Sequence, residues 1–189
     1  VLWGGQGIGR SITLALARNG SEVAFSDPSR QDLDKVRDLL ISKKADIFPS
    51  PWSQPVAEGE ESYARATEET LARMRPTCPL FHRIVLALGV DERFWTGPVA
   101  GAAPVADLVL GRIEGVVRRS VDALAAQEKP GRLLVLWPSE GGLMLDESKK
   151  SIIRMGETRL RDLTEEAAGH GIGVSLLWVG LTEGGIWAG

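Results

Sequence analysis

The chain opens with Val1-Leu2-Trp3-Gly4-Gly5-Gln6-Gly7-Ile8-Gly9-Arg10, and the stretch that follows ends at Val23-Ala24-Phe25-Ser26-Asp27. This order of residues predicts a short strand, a glycine-rich turn, a helix, a second strand and an acidic residue at its end. A nucleotide-binding βαβ unit needs that order, because the turn sets a helix N-terminus against a phosphate. The opening stretch therefore predicts both a fold and a class of ligand.

Glycines crowd the predicted turn. A glycine has no Cβ, so a phosphate approaches its backbone amide closely, and it adopts a positive φ at no steric cost. The helix that follows is expected to begin near residue 8 or 9 and to end at Asn19-Gly20. An alternative is a structural turn that binds no nucleotide. The predicted cofactor contacts of the turn are Gly4, Gly5, Gly7, Ile8 and Gly9.

Asp27 ends the second predicted strand, about 20 residues after the first glycine. An acidic residue at that distance accepts hydrogen bonds from an adenosine ribose, and its charge repels a 2′-phosphate. We therefore predict that Asp27 binds the cofactor and favours NAD over NADP.

The composition excludes several classes of protein. The chain has 189 residues, a formal net charge of −3 and a pI near 5.5, so we expect a single domain and no nucleic-acid partner. We expect no membrane segment, because no apolar run approaches the length of a span. Cys78 is the one cysteine, which predicts an inert thiol in a reducing compartment and a cytoplasmic location. His82 and His170 lie far apart, so we expect no metal site.

Strand and helix patterns alternate along the chain. Continuous apolar strands separated by amphipathic helices predict a doubly wound parallel sheet of about six strands with helices on both faces, in one Rossmann-like domain over residues 1–189. Proline-rich loops are expected at 49–55 and 97–104. The predicted strands are 1–3, 23–26, 45–48, 84–88, 133–137 and 174–179, and the predicted helices are 9–18, 31–42, 60–74, 107–127 and 148–168.

The opening turn resembles that of the short-chain dehydrogenase/reductase family, usually written T-G-x-x-x-G-I-G. Gly7-Ile8-Gly9 matches its end, the loop is one residue shorter, and Trp3 stands where the threonine would be. The resemblance extends to about Gly180. It implies NAD(P) binding, oxidoreductase chemistry, and an oligomer in which two long helices pack against the same pair of another subunit. By the same resemblance, the C-terminal strand and the lid helix of the family are expected to be missing.

The family resemblance also implies a set of catalytic positions. Ser139 stands where the family has its catalytic serine, and Lys149 matches the lysine of Y-x-x-x-K, which also binds the nicotinamide ribose. The tyrosine of that motif, which supplies a proton to the substrate, corresponds to Leu145. Tyr63 is the one tyrosine of the chain and lies in the third predicted helix. A leucine has no proton to give, so Ser139 and Lys149 are expected to be remnants of a site.

Other family positions are altered as well. Gly89 is all that remains of the N-N-A-G motif that lines the adenine site, and Arg112 is the best match to an asparagine of the catalytic network. Tryptophans at the carboxyl ends of the strands are expected to fill the cofactor pocket, and the bulk of Trp3 and Trp137 is expected to obstruct it. The other two tryptophans of this group are Trp52 and Trp95.

Three functions stay open at this point. The leading hypothesis is a pseudoenzyme subunit with a degenerate site, which scaffolds a homo-oligomer or a hetero-oligomer with a related active subunit. The second is an NAD(P)-dependent oxidoreductase for a small carbonyl, alcohol or acyl-thioester, with a carboxylate such as Asp146, Glu147 or Glu140 as its acid. The third is a sensor that binds NAD without chemistry.

Overall fold

A computed structural model places helices and strands in strict alternation, and it describes residues 1–41, 46–53, 55, 60–88, 105–139 and 147–180. All paired strands are parallel, which confirms the predicted doubly wound α/β sheet. In chain order the elements of the described residues are α1 (Gly7–Arg18), β1 (Val23–Asp27), α2 (Arg30–Ile41), β2 (Ile47–Pro51), α3 (Glu60–Met74), β3 (Arg83–Leu86), α4 (Val105–Ala125), β4 (Arg132–Pro138), α5 (Glu147–Gly169) and β5 (Gly173–Val179).

Residues 1–4, the central segment, join two groups of strands into one sheet. One group is β1 with β2, and the other has the order β3-β4-β5. The Gly4 amide donates to the Ser26 carbonyl at 2.7 Å on one side, and the Leu2 amide donates to the Val85 carbonyl at 2.8 Å on the other. The sheet therefore runs β2-β1-(central segment)-β3-β4-β5, and the central segment is the short first strand that the sequence predicts.

Two apolar layers cover opposite faces of this sheet. Val23 and Phe25 of β1 pack with residues of α1 and α2, whereas Ala24, which points to the other face, packs with residues of α3, α4 and α5. Helix α1 ends as its sequence predicts, since Gly20 has φ +80° and its amide donates to the Ala17 carbonyl at 3.1 Å. Helices therefore cover both faces of the sheet. The carboxyl edge, at which the parallel strands end, lies between the two helix layers.

Strand β2 corrects one prediction. We expected a proline-rich loop from residue 49, but Pro49 and Pro51 lie inside β2, opposite Phe25 and Asp27 of β1. Every second residue of β2 forms backbone hydrogen bonds with β1. At the two ends of the strand, the Asp46 carbonyl accepts from the Val23 amide and the Trp52 amide donates to the Asp27 carbonyl. The prolines fall between those positions and face the open edge, so their missing N–H groups break no ladder bond.

Trp137 lies in the core rather than in a pocket. Its side chain is fully buried, and its Nε1 donates to the Ile153 carbonyl of α5 at 3.1 Å. A Cβ on Gly156 would come within 2.7 Å of the ring atom Cε2, so α5 rests directly on the indole. The expectation that Trp137 obstructs a cofactor is therefore wrong, because its ring points under α5.

We predict that Gly156→Ala lowers the free energy of unfolding by about 1–3 kcal/mol, because the added methyl overlaps the buried Trp137 ring. The matched control is Gly169→Ala at the end of the same helix, where an added Cβ meets nothing within 4 Å. Urea denaturation followed by circular dichroism measures both. Equal stabilities for the two variants would contradict the described seating of α5.

Candidate functional site

The candidate site lies along the carboxyl edge of the sheet. The central segment, β1 and β2 end there side by side, and β4 ends at the same edge beyond β3. Ser139 follows β4 and is half-buried, and its amide donates to the Val179 carbonyl of β5 at 2.9 Å. Open α/β sheets bind ligands outside this edge, and the glycine turn and Asp27 both lie there.

The glycines of the turn have different tasks. Gly7 has φ +50° and an added Cβ would meet nothing within 4 Å, so the space above it is open to a ligand. A Cβ on Gly9 would collide with the Trp3 carbonyl, and a Cβ on Gly4 would lie 2.5 Å from Thr13 Oγ1. Gly4 and Gly9 therefore serve the packing of α1 on the central segment, and Gly7 serves the open face of the turn.

The N-terminus of α1 points its unpaired amides at that open face. Gln6 caps the helix in an extended conformation without a side-chain capping bond, and no acidic residue occupies the first turn. Ile8 is half-buried beside the turn, and Arg10 is exposed. A helix start of this kind attracts an anion through its free N–H groups and its dipole. The turn has the chemistry to hold a phosphate.

Asp27 is turned into the protein. Its carboxylate accepts a hydrogen bond from the Gly5 amide at 3.1 Å through Oδ2 and one from the Ser29 amide at 2.8 Å through Oδ1. The residue is 1% exposed. A Cβ on Gly5 would lie 2.7 Å from this carboxylate, so Gly5 is the residue type that lets it approach the turn. Asp27 therefore ties the end of β1 to the glycine turn.

A second carboxylate holds the turn from α2. Gln6 Nε2 donates to Asp32 Oδ2, and Lys35 Nζ lies 3.1 Å from Asp32 Oδ1. Burial of this carboxyl favours its neutral form, but the hydrogen bonds from Gln6 and other side chains and the Lys35 charge outweigh burial, so the pKa of Asp32 is lowered. The sequence analysis missed this contact, whose only sequence signal is an acidic residue in the first turn of α2.

Two tryptophans, Trp3 and Trp52, form an indole pair at the carboxyl edge. Their ring centres are 6.1 Å apart and their planes meet at 81°, an edge-to-face contact. Trp3 is 4% exposed and Trp52 is 3% exposed. The Trp52 amide donates to the Asp27 carbonyl at 3.0 Å, so the pair spans the end of β1.

Helix α3 fixes the chain on either side of Trp52. Arg73 donates to the Pro51 carbonyl at 2.6 Å and to Ser53 Oγ at 2.7 Å. The Ser53 amide donates to the hydroxyl of the fully buried Thr70 at 3.0 Å. The sequence analysis missed Arg73 and Thr70, since nothing in the sequence pairs a helix surface with a loop 20 residues before it.

Tyr63 and Arg112 lie together in the core. Tyr63 on α3 is buried, and the guanidinium of Arg112 on α4 stands 5.5 Å from the centre of its ring. Arg112 is 1% exposed. Helices α3 and α4 approach closely, because a Cβ on Gly115 would collide with the Glu60 carbonyl. The structure thus places Arg112 between two helices, with its charge over the one phenol of the chain.

Several predicted site residues lie outside the described residues. These include Gly89, and also Leu145, the residue at the tyrosine position. Lys149 falls in the first turn of α5, and its side chain is not described. The described residues therefore bring together the glycine turn, Asp27 and the indole pair, whereas the roles of Ser139 and Lys149 stay predictions. The others outside the described residues are Trp95, Glu140 and Asp146.

The architecture is similar to that of several solved oxidoreductases. A metagenomic short-chain oxidoreductase in complex with NADP has a TM-score of 0.68 at 16% identity, over 93% of this chain and 78% of that one. A β-ketoacyl-[ACP] reductase from Bacteroides thetaiotaomicron has 0.68 at 18%, over 96% and 74%. A citronellol catabolism dehydrogenase from Pseudomonas aeruginosa PAO1 has 0.70 at 19%, over 95% and 72%. No protein-family model and no curated protein matches the sequence.

The chain has the fold of the short-chain dehydrogenases/reductases. The resemblance in the opening turn is confirmed at the level of fold, and the glycine turn occupies the start of that fold. In the part of the chain that the structure describes, no helix is long and apolar enough to cross a membrane. Among the same residues, no three histidine, cysteine or acidic side chains are grouped in a way that suits a metal ion.

A dinucleotide of the kind that this fold implies fits the described residues only in part. The open face of Gly7 and the N-terminus of α1 suit its phosphates. Its adenosine half fits less well, because the Asp27 carboxylate is covered and each of its oxygens accepts a hydrogen bond from a backbone amide. The indole pair is buried beside it at the end of β1. A ribose hydroxyl reaches Asp27 only if the turn or the indole pair moves.

We predict that Asp27→Ala destabilises the protein with no cofactor present, by about 2–3 kcal/mol, because the Gly5 and Ser29 amides lose a charged acceptor. Thermal and urea unfolding measure the change. Asp34→Ala is the matched control, since Asp34 is a half-exposed acid on α2 that forms an ion pair with Arg37. If Asp27→Ala were as stable as this control, Asp27 would be a free ligand-binding group.

Proposed function

We propose that this chain is a non-catalytic member of the short-chain dehydrogenase/reductase family and serves as a subunit of an assembly. The observation that supports this most strongly is the position of Tyr63. The chain has one tyrosine, and it is buried on α3 against Arg112, whereas Ser139 follows β4. With its one phenol in that contact, the chain has no second tyrosine to donate a proton beside Ser139.

The effect of losing that proton donor on the reaction rate can be estimated. General acid catalysis contributes roughly 10²–10⁴-fold to a rate, and we propose that a tyrosine buried against Arg112 does not supply it. Ser139 keeps a hydroxyl and a half-buried position, but a serine hydroxyl is too weak an acid to replace a phenol held beside a lysine. Reduction of a carbonyl by the usual route of this family is therefore lost in our proposal.

The outer surfaces of α4 and α5 indicate what kind of assembly we propose. The apolar stripe of α4, which includes Ile113, Val116 and Leu124, is buried within this chain and is not available to a partner. Between the helices run ion pairs, of Arg118 with Glu166 and of Arg159 with Glu114. An interface on this face is polar, which is typical of partners that associate reversibly. We therefore propose a hetero-oligomer with a related active subunit over an obligate homo-oligomer.

A second candidate keeps the chemistry. The open face above Gly7 and the oxidoreductase neighbours favour an NAD(P)-dependent enzyme for a small carbonyl, alcohol or acyl-thioester. Its acid would be a carboxylate such as Asp146 or Glu147. Glu147 begins α5, is exposed and lies 2.6 Å from Lys150, so it lacks the apolar, buried surroundings of a carboxylic acid that serves as a general acid. That geometry supports the non-catalytic reading.

A sensor that binds NAD without turnover is the third candidate, and the poorer fit of the adenosine half counts against it. For this candidate Gly7→Val would abolish binding and alter association with a partner.

The lone, buried Cys78 supports a reducing compartment, and we propose a cytoplasmic location.

We predict no oxidation or reduction above background when the purified protein is mixed with NAD(H) or NADP(H) and a panel of alcohols, ketones and acyl-thioesters. Absorbance of the reduced nicotinamide measures the rate. Ser139→Ala and Lys149→Ala are the controls, and we expect them to be indistinguishable from the unaltered chain. Turnover that disappears in those two variants would overturn the proposal, and turnover lost in Asp146→Asn or Glu147→Gln would establish the second candidate.

We predict that association through α4 and α5 is weak and salt-dependent, because charges line that face. Sedimentation velocity at low and high salt measures it, and we expect the purified chain alone to move toward the monomer as salt rises. A dimer that persists unchanged at high salt would contradict a polar interface.

A further inference from the structure

Trp3 has a strained backbone. Its φ is +60°, and it is the one residue other than glycine with a positive φ among the residues that the structure describes. For a bulky side chain the left-handed region costs about 1–2 kcal/mol. The conformation occurs where α1 packs closely on the central segment, since the Trp3 carbonyl lies where any Cβ on Gly9 would be. Strain that a fold maintains in this way is found mostly at ligand sites and switches.

Trp52 carries a second cost in the same place. Its Nε1 is buried and has no hydrogen-bond partner among the described residues. A buried donor without an acceptor costs about 1–3 kcal/mol relative to one that is paired. The hydroxyl of Ser26, one residue before the end of β1, is likewise buried without a partner in the described part of the chain. A core position chosen for stability alone would favour a side chain without these polar atoms.

The indole pair is nevertheless held firmly. Arg73 and Thr70 bind the residues on either side of Trp52, and the two rings bury each other edge to face. Pairs of this geometry contribute roughly 0.5–1.5 kcal/mol beyond the area that they bury. The structure thus accepts strain at Trp3 and an unsatisfied N–H at Trp52 to keep two flat rings at the end of β1.

The position of the pair explains what it does. Trp3 ends the central segment, and Trp52 is bonded through its amide to the last residue of β1. The crevice outside the carboxyl ends of neighbouring strands is where an open α/β sheet takes a nucleotide, with the phosphate at the adjoining helix N-terminus. An indole is flat and close in size to a purine. The turn at Gly7 is open, whereas the two indoles at the end of β1 are buried as the part of the core that lies nearest to this edge.

We propose that Trp52, packed on Trp3, occupies the nucleobase position of this crevice and keeps adenine dinucleotides out of the folded chain. The inference deepens the proposed function and rests on it in one respect, since a subunit without turnover has no need to admit a cofactor. The phosphate-binding end of the turn stays intact, so removal of the ring opens the nucleobase position while the contacts for a phosphate remain.

ADP-ribose is the probe for a binding test, because it carries the adenine, the ribose and the pyrophosphate but no nicotinamide to react. By isothermal titration calorimetry we expect no saturable binding to the unaltered chain at roughly millimolar probe. We expect Trp52→Ala to bind at least about tenfold more tightly, with Gly7→Val in the same variant abolishing the gain. Trp178→Ala is the matched control, because that ring contacts Arg161 of α5 instead.

A second variant guards against a folding defect in the first. Trp3→Gly removes the other ring and relieves the positive φ, so we expect it to bind ADP-ribose as well, and circular dichroism confirms that each variant is folded. The inference is overturned if the unaltered chain binds as tightly as Trp52→Ala, or if both folded variants fail to bind. Neither result bears on turnover, so failure here is distinguishable from failure of the proposed function.

Discussion

The double hydrogen bonding of the central segment is the constraint on which the rest of this structure depends. Residues 1–4 lie between β1 and β3 and donate to both, so they turn two small groups of strands into one sheet. The same residues lead directly into the glycine turn and set its position relative to the carboxyl ends of the strands. Because α1 then rests on the Trp3 carbonyl at Gly9, the position of the first helix follows from the sheet and not from its own contacts alone.

Asp27 illustrates how one residue can be placed correctly and understood incompletely from sequence. Its place at the end of β1, beside the turn, follows from strand length and spacing. The direction of its carboxylate does not, because that depends on Gly5, whose lack of a Cβ admits the side chain to the turn. A carboxylate bonded to two amides stabilises the turn itself, and its use by a ligand would require those bonds to loosen.

Much of the fold could be predicted because periodicity is a local property. Helix α3 begins and ends where its pattern predicts, and the alternation of strands and helices sets the parallel sheet. The sequence misplaced β2, since prolines signal a loop unless the strand is at an edge, and edge position is a tertiary fact. It also misjudged Trp137, whose ring could be assigned to α5 only through Gly156, 19 residues away along the chain. Contacts such as that of Arg73 with the Pro51 carbonyl cannot be predicted from the periodicity of apolar residues in the sequence.

A site that loses its chemistry does not have to stay open. At the carboxyl edge of this sheet a side chain can bind a ligand or pack on its neighbours. Packing keeps apolar surface out of water permanently, whereas ligand binding does so only while the ligand is bound. Trp3 and Trp52 pack in this way, at the cost of a strained backbone and of an N–H without a partner among the described residues. If the rings fill the crevice as we propose, any residue that would restore catalysis must also displace them. In our proposal, loss of the phenol and closure of the crevice therefore reinforce each other.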